Sequence, residues 1–137
     1  MSLSEVALAG GWQLVAYHDV DESGATSEGP LGAAPQGLLL YSRRGYMSVS
    51  MMRAEPVAGA DGFMGYAGQW QLSGHQVIHE VVVSSHPHMV RTRQVRDVAL
   101  ADDLLTLRGT SLLEGRPRQR LLTWRRLAQP HRFKEEI

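Results

Sequence analysis

The chain has 137 residues, 14 basic and 14 acidic, no cysteine and a formal net charge of zero. Its length suits one domain with one core. The charge balance removes the basic footprint that nucleic-acid or anionic-membrane binding requires, and the lack of cysteine excludes disulfides and thiolate metal sites. The N-terminal segment has an acidic residue and no basic run, and no stretch reaches the roughly 20 apolar residues of a membrane span. A soluble, cytoplasmic protein with no nucleic-acid or membrane partner is expected, as a monomer or homodimer.

Ser4 to Ala9 predicts one short helical turn, with Ser4 as its N-cap. Gly11 to His18 is rich in aromatic and β-branched residues and predicts a strand. Residues 21–35, with their Gly, Ser, Pro and acidic side chains, predict a long loop over one rim. Gln36 to Tyr41 and Tyr46 to Met52, separated by a tight turn, predict a hairpin. Residues 53–65 predict a loop or short helix, and Tyr66 to Leu72 a strand. His75 to Arg96 then predicts two long strands meeting at a Pro-containing turn. It carries four of the six histidines together with Arg91, Arg93 and Arg96. Val95 to Leu100, Leu104 to Thr110 and Gln119 to Arg126 complete a meander, and residues 129–137 predict a frayed, charged tail. Eight strands with short links predict an all-β fold, an eight-stranded antiparallel up-and-down barrel. Its interior is wide enough for one small ligand or for side-chain filling. The domain plan is an N-terminal turn over 1–9, a barrel over 10–127 and a tail over 128–137.

The order of several motifs carries a resemblance. Gly11-Trp12-Gln13-Leu14-Val15 is followed by Gly37-Leu38-Leu39-Leu40-Tyr41 with Gly45-Tyr46-Met47-Ser48, and then by Tyr66-Ala67-Gly68 and Val81-Val82-Val83-Ser84-Ser85. Gln94-Val95-Arg96 and Leu122-Thr123-Trp124-Arg125-Arg126 close the series. Residues 10–127 resemble the lipocalin-like domain family, short intracellular relatives of the calycins in bacteria and fungi. The resemblance implies a calycin-type barrel that holds a small organic molecule.

Strand periodicity of two selects the inward set. If Val98 and Leu100 face the core, Arg96 and Gln94 point inward as well. Arg96 then either holds a carboxylate, carbonyl or enolate of a ligand, or closes the barrel end by stacking on Trp12. An interior charge needs a partner, and Glu80 and His79 are the nearest candidates. The resemblance favours His79 as the inward residue of the fifth strand, as a general acid or base or as a hydrogen-bonded interior histidine. Tyr46, Ser48 and Ser50 form one stripe of the third strand and Met47, Val49 and Met51 the other, core packing being expected of the methionines.

His79, Arg96, Tyr46 and Glu80 are thus the catalytic candidates. Gln94, Trp70, Tyr66, Met51, His18 and Ser48 are the ligand-contact candidates. His86-Pro87-His88 lacks a third ligand at a telling spacing, so no metal and no cofactor are expected. His75-x-x-x-His79-Glu80 is not a zincin motif, because Val83 stands where the second histidine would be. Gly62, Gly65 and Gly68 read as mobile loop, and no nucleophile elbow is present. Three functions fit: a cofactor-free cyclase or isomerase of a hydrophobic, polyketide- or terpenoid-like metabolite; a carrier of an apolar ligand with a carboxylate or carbonyl end; and a self-stabilised barrel acting through a dimer surface.

Overall fold

A computed structural model describes residues 3–55, 62–113 and 116–128, and of residues 111–113, 116 and 117 only the backbone. Ser4 caps a four-residue helix, α1 (Glu5–Leu8), by accepting from the Ala7 amide at 3.2 Å. Nine strands follow: β1 (Gly10–Val20), β2 (Thr26–Glu28), β3 (Gln36–Tyr41), β4 (Tyr46–Met52), β5 (Phe63–Ser73), β6 (Gln76–Ser84), β7 (Arg93–Ala101), β8 (Leu104–Leu113) and β9 (Arg116–Arg126). The long strands pair antiparallel with their neighbours, and β1 pairs with both β3 and β9, so eight strands close into a barrel. Closure removes the unpaired edges that an open sheet would expose.

Two boundaries differ from the sequence reading. Residues 26–28 form an extra short strand on the far end of β1, inside the expected rim loop. Gly65 and Gly68, read as mobile loop, lie within β5. Gly68 sits at a bulge where a Cβ would fall 1.8 Å from the Glu80 carbonyl oxygen, so the glycine permits close backbone approach. The helix or loop expected over 53–65 lies partly, and the frayed tail wholly, outside the described residues.

One barrel end is plugged. Leu8 of α1 is fully buried beneath Trp12, whose indole N–H donates to the Leu8 carbonyl at 3.0 Å. Arg126 lies 4.3 Å over the Trp12 ring and donates to the Ala7 and Ala9 carbonyls. The end-closing stack considered for Arg96 therefore belongs to Arg126. The β3–β4, β5–β6 and β7–β8 pairs turn the Met47, Val49, Met51 stripe inward with Leu39, Tyr41, Val77, Val81 and Leu105. At the opposite end the β6–β7 link, with its 3-10 turn Pro87–Met89, flanks an open mouth.

Candidate functional site

Opposite the plug, the interior narrows to a chamber of about 40 Å3 lined by Tyr17, Met51, Tyr66, His79, Arg96 and Trp124 among others. His79 is 2 % exposed, the one buried polar side chain of the described core. Both of its ring nitrogens are engaged: Tyr41 Oη lies 2.6 Å from Nε2 and Tyr66 Oη 2.6 Å from Nδ1. Burial, and after it the positive charge of Arg96, holds the imidazole pKa down at about 3. His79 is therefore neutral at ordinary pH, with one N–H and one bare nitrogen. Burial also pushes the Tyr66 phenol up to about 12 and Tyr41 well above the usual range.

The direction of this hydrogen-bond chain follows from which phenol has an alternative. Tyr41 is 2 % exposed beneath the Trp70 ring, 4.4 Å away, with His79 as its hydrogen-bond partner. Were Tyr41 to accept from the ring, its own O–H would be orphaned in the core at a cost of about 1–3 kcal/mol. Tyr41 therefore donates to Nε2, and Nδ1–H donates to the Tyr66 oxygen. The Tyr66 O–H is left to donate into the chamber that it lines.

Two further donors border the same space. The Arg96 stem crosses Gly109, where a Cβ would stand 2.6 Å from its Cδ and Nε. The guanidinium donates to Gln94 Oε1 at 3.1 Å and to the Val95 carbonyl at 2.9 Å. Among the described residues no carboxylate pairs with it: Glu80 holds Arg93 at 2.7 Å, Asp19 lies by Arg120 and Asp103 by Arg126. The Trp124 indole N–H is buried with no acceptor among the described residues.

Five expected residues lie outside the chamber and its mouth. Tyr46 is 61 % exposed and Ser48 shares its outer stripe, because a strand that buries Met47, Val49 and Met51 must turn the alternate residues outward. Glu80, next to inward His79, faces solvent with Arg93. Tyr46 and Glu80 border a shallow outer groove of about 250 Å3 with Arg44 and Gln69. His18 is carried to the outer face by a bulge between Leu14 and Ala16, which brings Tyr17 inward and sets His18 opposite Leu121 and Glu28. Trp70 points inward but lies behind Tyr41, with its indole N–H on the Ser42 carbonyl. His79, Arg96, Tyr66 and Met51 do share the chamber, and Gln94 lines the mouth beside Arg96. Tyr41, Tyr17 and Trp124, expected only as aromatic wall, hold or line the site, and Arg120, which was not expected there, lines the mouth; the signal for Tyr41 was its register two residues from inward Leu39.

A family model for the lipocalin-like domain matches the sequence in two overlapping segments, residues 9–62 and 55–127. The chain is a lipocalin-like domain. No curated protein matches it. The closed barrel agrees with that membership, and such a barrel suits the binding of a small hydrophobic molecule. Among the described residues of this lipocalin-like domain, no group of three or more His, Cys, Asp or Glu side chains is placed to hold a metal. No helix there is long and apolar enough to cross a membrane.

Proposed function

We propose that this lipocalin-like domain binds an apolar small molecule through a carbonyl or carboxylate end, with Tyr66, Trp124 and Arg96 as the recognising groups. The observation that supports this most is the uniform polarity of the chamber. The Tyr66 O–H, the orphaned Trp124 N–H and the Arg96 guanidinium are all donors, and among the described residues no carboxylate lines it. An acceptor group on the ligand would satisfy them, whereas an ammonium, a donor only, would find no carboxylate to pair with. Carriage is favoured over catalysis by the state of His79. Its nitrogens are both taken and its pKa lies near 3, which makes it a weak base for a substrate proton.

The cyclase or isomerase reading draws on the same donors, since groups aimed at a carbonyl oxygen stabilise an enolate more than a ketone. In that reading Tyr66 gives a proton to the substrate oxygen, His79 Nδ1–H reprotonates Tyr66, and Tyr41 passes its proton to Nε2. The chain would end on a buried Tyr41 phenolate, which burial disfavours. A base for the carbon acid is a further requirement.

Titration of the intrinsic Trp fluorescence with an alkanal, a carboxylate, an alkylamine and an alkane of equal chain length tests the binding. The aldehyde and carboxylate are expected to bind saturably and at least about tenfold more tightly than the amine or alkane. Tyr66→Phe should remove about tenfold of that preference. Equal affinity across the four ligands would refute the reading. Incubating a bound ketone in D2O separates carrier from isomerase, because only the latter exchanges the α-hydrogens and loses the exchange in Tyr66→Phe.

A further inference from the structure

The inner chamber leaves a question of size. About 40 Å3 is room for a few waters, one needing about 10–15 Å3, so it admits the acceptor group and little else. The apolar body of the ligand must lie outside, and two spaces adjoin the chamber. The mouth, in two lobes of about 210 and 420 Å3, sets Met64, Met89 and Leu122 beside His88, Thr110 and the charged Arg120. The other space is a cleft of about 600 Å3 in the barrel wall, bordered by Val15, Leu38, Met52 and Phe63, with no charged side chain among its lining residues.

We infer that the apolar body of the ligand lies in this wall cleft and reaches the chamber past Met51. This rests on the acceptor-end reading above. Three observations carry it. First, β1 and β3 are paired only from Gly10↔Tyr41 to Gln13↔Leu38; beyond that β1 bulges toward β9, so parting the wall there breaks no ladder hydrogen bond between them. Second, β3 has Gly37 at this gap, where a Cβ would meet the Ser50 carbonyl oxygen at 2.9 Å, Met51 Cγ at 3.0 Å and Leu14 Cβ at 3.2 Å, so Met51 lies directly against the β3 backbone. Third, Met51 is the one residue that lines both the cleft and the chamber. An unbranched thioether on three rotatable bonds is suited to swing aside. An alkyl chain gains free energy by leaving water for apolar walls, and in the cleft it does so without covering a charged group such as Arg120, which borders the mouth.

The test uses the full chain with butanal and dodecanal as probes, and a long-chain fatty acid spin-labelled near its methyl end. Leu38 is 51 % exposed, so Leu38→Glu changes the cleft without disturbing the core. In Leu38→Glu dodecanal should weaken on the order of tenfold, and butanal, whose short chain stops near Met51, much less. In the wild type, the spin label should broaden the amide resonances of Val15, Leu38 and Phe63. Broadening confined to His88 and Thr110, with dodecanal affinity intact in Leu38→Glu, would place the tail in the mouth and overturn the inference. So would a change of elution volume in Leu38→Glu with ligand affinity intact, since the cleft would then be a contact between two copies of the chain. Tyr66→Phe judges the acceptor-end reading separately: it should weaken butanal and dodecanal alike. Unchanged affinity for both would refute that reading, while the broadening pattern still decides where the tail lies.

Discussion

At the scale of single residues, His79 links stability to pH. Unfolded, it titrates near 6.5; folded, burial and Arg96 hold it at about 3. Below pH 6.5 the unfolded chain therefore binds a proton that the native chain does not. The contribution of His79 to stability is complete above pH 6.5 and is lost as the pH falls toward 3, at a slope approaching roughly 1 kcal/mol per pH unit. Denaturant midpoints between pH 7 and pH 4 should fall more steeply for the wild type than for His79→Gln, which can still bridge the two phenols; parallel curves would contradict the assignment. Gly109 makes a second case. A methyl group there would stand 2.6 Å from the Arg96 side chain, whose flexible end can withdraw. Gly109→Ala should lower carboxylate affinity several-fold while shifting the denaturant midpoint little, as fluorescence titration and urea unfolding would register.

Among the elements, α1 is too short to be stable by itself, and its place depends on the barrel beneath it. Arg126 fixes it by donating to the Ala7 carbonyl at 2.6 Å and by covering the Trp12 ring. Arg126→Ala removes both contacts and leaves the half-buried Ala7 and Ala9 carbonyls short of a donor. A loss of about 1–3 kcal/mol in urea unfolding is expected, with Arg126→Lys restoring only part of it, because a point charge cannot match the planar fork. The exposed Glu80–Arg93 pair makes the contrast, with side chains 44 % and 62 % exposed. Glu80→Gln should change the midpoint by no more than about 0.5 kcal/mol and leave ligand affinity unaltered. A catalytic Glu80 would behave otherwise, so the comparison also tests its removal from the chamber. Both strands of the β6–β7 pair were legible as strands, and inward Arg96 and Gln94 followed from their parity with Val98. The partner of Arg96, expected to be Glu80 or His79, was not legible: β6 turns Glu80 outward to Arg93, and the neighbouring Gln94 accepts from the guanidinium instead.

For the whole molecule, closure sets the behaviour. β1 forms ladders with β3 and with β9, the latter joining residues more than 100 apart in sequence, as in Trp12↔Arg126. A chain ended at residue 115 would lose β9 and expose the edges of β1 and β8. It is expected to elute as aggregate on gel filtration and to lack cooperative urea unfolding. What the sequence determined by itself was the number and type of the long strands and the barrel class, because alternating apolar residues and turn punctuation are local signals. It also marked His79, Arg96 and Tyr66, the last two by composition and parity. Only the tertiary structure decided which polar groups meet. The bulge after Leu14 reversed the parity of β1, sent His18 out and brought Tyr17 in. The strand register set Tyr41 against His79 from 38 residues away. Bulges and long-range register are settled by how neighbouring strands pack and pair, which no window of the sequence contains. Hence the barrel was readable in the chain, whereas the donor-lined chamber at its centre emerged only when β1 met β9.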